Sequence, residues 1–197
     1  MRVWLLRHGE SEANVAGLVS DDPRRPWPLT PRGIGQAKAA ARALAGVDFA
    51  CLYASEHQRA RQTAAVLQDT WREMVRGQAS GLADRPIVTD ARLNERRSHL
   101  DGRPVEDFNG LVRPDPVHIR PPGGETFLEQ MDRLRAFLDA AVARHGEVDV
   151  LAVSHENPIQ AARAVAGLDP EVAVRGPVAN CAWVVLAWPP TPLMALP

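Results

Sequence analysis

Three times along this chain of 197 residues a short apolar run stops at a polar cluster, and a helix-forming stretch then begins. Val3-Trp4-Leu5-Leu6 leads into Arg7-His8-Gly9-Glu10. Phe49-Ala50-Cys51-Leu52-Tyr53 leads into Ser55-Glu56-His57-Gln58-Arg59, and Val148 to Val153 leads into Ser154-His155-Glu156-Asn157. Short apolar runs with polar ends read as strands buried on both faces. Strands that alternate with helices imply an α/β layered fold around a mainly parallel sheet. The expectation is a three-layer α/β/α sandwich over residues 1–197 as one domain. In such a sheet the carboxyl ends of parallel neighbours share one edge, where ligands bind. If the three strands are neighbours, their polar clusters meet there.

The helices are signalled by their starts. Thr30-Pro31 offers a threonine cap with proline at the first helical position, and Ala37, Ala40, Ala41 and Leu44 give an apolar face that ends at Gly46. Ser55 and Gln58 fit a capping box for a helix to about Trp71. Thr126 and Glu129 fit another, ahead of Phe127, Met131, Leu134, Leu138 and Ala141 at helical spacing. Asn157-Pro158 reads as a further capped start. Residues 76–86 read as a loop, Ile87-Val88-Thr89 as a short strand and Cys181 to Trp188 as a last strand. The span from about 96 to 124, rich in Arg, Asp, Gly and Pro, reads as an excursion that covers the site. The proline-rich tail is expected to fray.

Composition narrows the partners. Lys+Arg 23 against Asp+Glu 24 leaves a net charge of -1, so no global field draws nucleic acid or an anionic membrane. The five tryptophans are scattered and do not interleave with a basic strip. No apolar run has the length of a membrane span, and no cationic segment with a long apolar stretch marks a signal peptide. Cys51 and Cys181 lack CxxC spacing and read as small buried hydrophobes, in keeping with a cytoplasmic protein. His155-Glu156 fails as a zinc-protease start, because Ile159 stands where the second histidine belongs. There is no Gly-Lys-Ser/Thr phosphate loop.

From the three clusters, Arg7, Arg59, His8 and His155, with the free N–H groups of helix N-termini, make a set suited to a tetrahedral oxyanion. At these residues the chain resembles the histidine phosphatase superfamily, the phosphoglycerate mutase-like group. The resemblance rests on Arg7-His8-Gly9-Glu10-Ser11 with Asn14; Leu29-Thr30-Pro31-Arg32-Gly33 with Gln36-Ala37; Arg59-Ala60-Arg61-Gln62-Thr63-Ala64; Leu93-Asn94-Glu95-Arg96; Pro122-Gly123-Gly124-Glu125-Thr126; and Ser154-His155. These blocks run in order over most of the chain. The resemblance implies that His8 is the nucleophile and becomes phosphohistidine, that Arg7, Asn14, Arg59 and His155 hold the phosphoryl oxygens, and that Glu95 is the proton donor. It implies a phosphomonoesterase of the histidine acid phosphatase type, acting on a small phosphorylated molecule with no metal and no cofactor.

The chemistry is coherent without the family. A neutral imidazole is nucleophilic near neutral pH, guanidiniums neutralise the equatorial oxygens, and a carboxyl group beside a phosphate stays protonated to higher pH. Two departures stand out. Glu156 occupies a position where the family usually has glycine, which predicts a carboxylate that repels phosphate or clashes with a backbone donor. The aromatic-glycine pair usual after the acid is missing. Two alternatives follow: a phosphoglycerate mutase, and a non-catalytic phosphate-binding regulatory member. His57, His99, His118 and His145 are expected on the surface or in loops, and Arg24, Arg25, Arg96, Arg97, Arg103, Arg113 and Arg120 as solvated charges. Substrate recognition is expected from residues 17–28 and 96–124. The strand edges are free to pair with another chain, but nothing in the pattern requires it.

Overall fold

A computed structural model describes residues 1–74 and 85–189. Most of the loop expected at 76–86, and nearly all of the tail, lie outside the described residues. Strands β1 (Arg2–Arg7), β2 (Cys51–Ala54), β3 (Val88–Thr89), β4 (Val150–Ser154) and β5 (Trp183–Ala187) form one sheet in the order β3-β2-β4-β1-β5. The first four run parallel, and β5 pairs antiparallel with β1. The expected architecture is therefore the one observed.

Strand periodicity divides the core. Val3, Leu5, Tyr53, Val150 and Ala152 face one side, where α5 (Phe127–His145) and α6 (Glu156–Val165) lie. Leu6, Leu52, Ala54, Leu151 and Val153 face the other, under α2 (Pro31–Leu44) and α3 (Gln58–Met74). Burying a large apolar side chain such as Phe127, Leu134 or Leu138 contributes about 1.5–3 kcal/mol, and all three are fully buried.

The Thr30 cap and the Thr126–Glu129 capping box form as expected. Two starts differ. The Ser55 hydroxyl faces His155 at 2.7 Å, so α3 begins only at Gln58. The last long helix, α6, takes His155 as its N-cap and starts at Glu156, before Asn157-Pro158. Pro158 is tolerated there because the first turn has no intrahelical use for its N–H. Three α-helices were not expected: α1 (Glu12–Ala16), α4 (Val105–Val112) inside the excursion, and a short α7 (Pro170–Ala173) after α6.

Candidate active site

The parallel register places the three clusters. Arg7 lies opposite Ser154, and Ala54 opposite Val153. The ladder continues past the strand ends, with His8 N donating to Ser154 O and Ser55 N to Val153 O, each at 3.0 Å. His8, Ser55 and His155 therefore follow three neighbouring strands at one edge of the sheet.

Much of the sequence signature is scaffold for this edge. Gly9 N donates to Thr63 Oγ1 at 3.0 Å, Glu10 N to Gln36 Oε1 at 2.8 Å and Leu29 N to Gln62 Oε1 at 2.8 Å. A Cβ on Gly9 would lie 2.5 Å from Gly33 O. That spacing is well inside van der Waals contact with a backbone atom, so the glycine lets the loop after β1 rest on the start of α2.

His8, Arg59 and His155 are all buried. His8 Nδ1 lies 2.7 Å from Gly9 O, an acceptor only. That contact assigns the proton to Nδ1 and leaves the lone pair on Nε2. Arg59 Nε donates to that Nε2 at 2.9 Å, and Arg59 Nη2 reaches both His155 Nδ1 at 2.9 Å and Ser20 O at 2.8 Å. The two imidazole centroids are 5.0 Å apart. Burial first, and then the Arg59 charge, hold both histidines well below their usual pKa, so both are neutral at physiological pH. Burial lowers Arg59 to about 10, which leaves it charged. Among the described residues no carboxylate lies within ion-pair distance of it. A buried guanidinium without a carboxylate is costly, and a bound oxyanion would relieve that cost.

Arg7 and Glu95 stand at the mouth. A cavity of about 110 Å³ opens there, walled in part by Arg7, Asn14, Glu95, Phe108, Glu156 and Asn157. Arg7 Nη1 donates to Val178 O and lies 3.1 Å from Glu156 Oε2, while its Nε is buried without a partner. Asn14 Oδ1 closes the α1 capping box with Ser11, leaving the amide nitrogen of Asn14 as its free donor. Burial raises the Glu95 carboxyl, against the Arg96 N–H and the charges of Arg59 and Arg7, and Glu156 adds to the rise.

The structure thus brings together His8, Arg59 and His155 in one hydrogen-bonded group, and Arg7, Asn14 and Glu95 around the adjoining cavity. Glu156 neither clashes with a backbone donor nor stands free, because its Oε1 accepts from Val178 N at 2.9 Å. His57 departs from expectation. It is buried, with its ring 4.5 Å from that of His155 and neither nitrogen in a well-formed hydrogen bond. Its place in a strand-to-helix connection at the ligand edge was the available signal. Ser55 was legible as a cap but not as the partner of His155. His99 and His118 are exposed, and His145 is half-buried against Tyr53. Of the arginines expected to be solvated, Arg96 alone is buried.

A sequence profile of the histidine phosphatase superfamily (branch 1) matches residues 3–192. The adenosylcobalamin/alpha-ribazole phosphatase of Escherichia coli is 33% identical over 167 residues, 79% of this chain and 74% of that protein. The 2,3-bisphosphoglycerate-dependent phosphoglycerate mutase of Thermoplasma acidophilum is 34% identical over 161 residues, 80% and 72% of the two chains. The crystal structure of a putative alpha-ribazole-5'-P phosphatase from Escherichia coli superposes with a TM-score of 0.74 at 29% identity, covering 94% of this chain and 89% of that one.

Proposed function

The chain belongs to the histidine phosphatase superfamily, and on that premise we propose that it hydrolyses a small phosphomonoester through a phosphohistidine formed on His8. The observation that carries this reading is the Arg59 guanidinium, held 2.9 Å from both His8 Nε2 and His155 Nδ1 with no carboxylate within ion-pair distance among the described residues.

A phosphoryl group entering from the cavity meets Arg59, Arg7 Nε and the Asn14 amide. As Arg59 turns its N–H groups to the equatorial oxygens, the His8 lone pair is freed. Nε2 then attacks phosphorus, the P–O bond to the leaving group breaks, and the Glu95 carboxyl gives its proton to the departing oxygen. The Gly9 carbonyl stabilises the charge that develops on the ring through Nδ1–H. In the second step the Glu95 carboxylate takes a proton from water as the water oxygen attacks phosphorus. The P–N bond breaks, inorganic phosphate leaves, and His8 and Glu95 return to their starting states. Arginine donors in a buried site supply the charge stabilisation that phosphoryl transfer needs. The positions of the groups support these roles, and the neutral His8 with a raised Glu95 supports activity of the acid phosphatase type.

The test is trapping. Brief mixing with an aryl phosphate, followed by intact-protein mass spectrometry, is expected to show one added phosphoryl group that is lost in acid and absent from His8→Ala. Binding without transfer would instead support the regulatory reading. The similarity to the Thermoplasma mutase favours a second reading as phosphoglycerate mutase. Adding 3-phosphoglycerate with a trace of 2,3-bisphosphoglycerate separates the two, because a hydrolase releases phosphate and a mutase releases the 2-phospho isomer.

A further inference from the structure

The cavity beside the histidines holds Glu95, so under the function proposed above it receives the leaving group. Its wall carries a second carboxylate that this mechanism does not use. Glu156 opens α6 and is fixed on both oxygens, with Oε1 accepting from Val178 N at 2.9 Å and Oε2 3.1 Å from Arg7 Nη1. That pairing takes one edge of the Arg7 guanidinium out of use and leaves its buried, unpartnered Nε facing no other acceptor. Arg7 therefore has one edge for one anion.

Among the described residues, the one further cation on this wall is already engaged by backbone carbonyls. That cation is Arg96, whose donors end on Glu125 O, Pro116 O and Ile119 O at 2.9–3.2 Å. Asn14 and Asn157 are neutral amides, and Leu18, Val105 and Phe108 are apolar. A leaving group in this cavity shares its wall with Glu156, a carboxylate held in place by Arg7 and by Val178 N. Hydroxyl groups there can donate to the unused lone pairs of Glu156. A carboxylate or second phosphate meets repulsion instead, which is discrimination by an unfavourable contact.

We infer that Glu156 is a specificity-determining residue that selects neutral, hydroxyl-bearing leaving groups and rejects leaving groups with a second anionic group. The inference rests on the phosphatase reading for the direction in which substrate lies, and it deepens that reading by naming the substrate class.

Glycerol 3-phosphate and 3-phosphoglycerate test it, because they differ only in a hydroxymethyl group replaced by a carboxylate. Two readouts keep the inference separate from its premise. One is the ratio of kcat/KM for the two esters in the active protein. The other is the ratio of their Kd values, by calorimetry, in His8→Ala. Glu156→Gln keeps the shape and the acceptor for Val178 N while removing the charge, and Glu156→Gly removes the side chain. The unaltered residue is expected to favour glycerol 3-phosphate by about tenfold or more, and both variants to cut that preference about tenfold, as expected when a like charge is removed at close range in a partly buried site. Turnover with a ratio unmoved by either variant would overturn the inference and leave the phosphatase reading standing. A Kd ratio that shifts as expected, with no turnover of any ester, would support the inference and overturn the phosphatase reading. A wild-type preference for 3-phosphoglycerate in both readouts would overturn the inference.

Discussion

Arg59 and Arg96 are both buried guanidiniums, both lowered by desolvation to about 10, and both in the field of Glu95. Arg59 belongs to the cradle at the sheet edge and Arg96 to the excursion that walls its mouth. They differ in what accepts their hydrogen bonds. Arg96 ends on three backbone carbonyls from Pro116, Ile119 and Glu125, so it ties the excursion to itself. Nearby, the buried Glu125 is paired with Arg133 at 2.5 Å and Arg97 at 3.3 Å. Arg59 ends on two histidine nitrogens and one carbonyl. In the proposed mechanism its imidazole partners give way to phosphoryl oxygens, whereas the carbonyls around Arg96 have no other donor among the described residues. The depth of burial and the depressed pKa do not distinguish a structural arginine from a functional one; the acceptors do.

The same substitution at both positions puts this contrast to its hardest test. Arg59→Met is expected to lower kcat/KM by about 10³-fold or more, the range for removing a cation from a phosphoryl-transfer site, while urea unfolding shifts by no more than about 1 kcal/mol. Arg96→Met is expected to do the reverse. Three buried carbonyls lose their donor, so unfolding free energy should fall by about 3 kcal/mol or more, while the folded fraction keeps kcat/KM within about tenfold. If both variants lose activity and stability in the same proportion, the contrast fails.

Glu95 lies between the two regions, and it sharpens the comparison through pH. In the proposed mechanism its carboxyl must be protonated to assist the leaving group. Activity is then expected to fall as pH rises through its raised pKa, and to persist well below pH 6.5 on the acid side because His8 stays neutral there. Glu95→Gln is expected to cost about 10²-fold in kcat on an alkyl phosphate and to flatten the alkaline limb. The loss should be much smaller on p-nitrophenyl phosphate, whose leaving group departs readily as an anion. An equal loss on both esters would mean that Glu95 does not donate the proton.

The two regions also differ in how far the sequence discloses them. The cradle was legible because its strands are short apolar runs, buried on both faces in β2 and β4, and because parallel register turns three separate clusters into one edge. The second capping box was equally plain, since Thr126 and Glu129 satisfy each other locally. What escaped was every partner choice that depends on a distant segment. Ser55 looked like a cap because nothing local reveals that His155 reaches its hydroxyl, a hundred positions on. Arg96 looked solvated because its acceptors are backbone carbonyls, which any sequence has. Helix α4 escaped because its apolar residues, Val105, Phe108, Leu111 and Val112, are mostly left at least partly exposed, so no strong core-facing stripe announces it. Glu156 read as an intrusion because the 2.9 Å bond from Val178 N, across α7, is invisible from position 156.

His57 carries the smallest expected effect, and it asks whether the cradle holds polar groups only for function. The ring is buried with neither nitrogen in a well-formed hydrogen bond, and it is held down to about 3, first by burial and then by Arg59, against the weaker pull of Asn94 and the Asp21 backbone. Replacing it with leucine removes two poorly satisfied polar atoms at similar volume, a change that is near-neutral or stabilising. Unfolding free energy at pH 7 is expected to rise by about 1 kcal/mol or less, and kcat/KM to fall a few-fold as His155 loses a neighbour 4.5 Å away. The sharper readout is the pH dependence of stability. Below pH 6.5 the unfolded chain takes up protons that His8, His57 and His155 refuse in the fold, so the protein loses stability as pH falls. Each contributes at most about 1.4 kcal/mol per pH unit while its folded form stays neutral. His57→Leu should remove one of these three contributions and leave a shallower slope between pH 6 and pH 4. An unchanged slope would mean that His57 is already protonated in the fold, and that the cradle contains a cation besides its arginines.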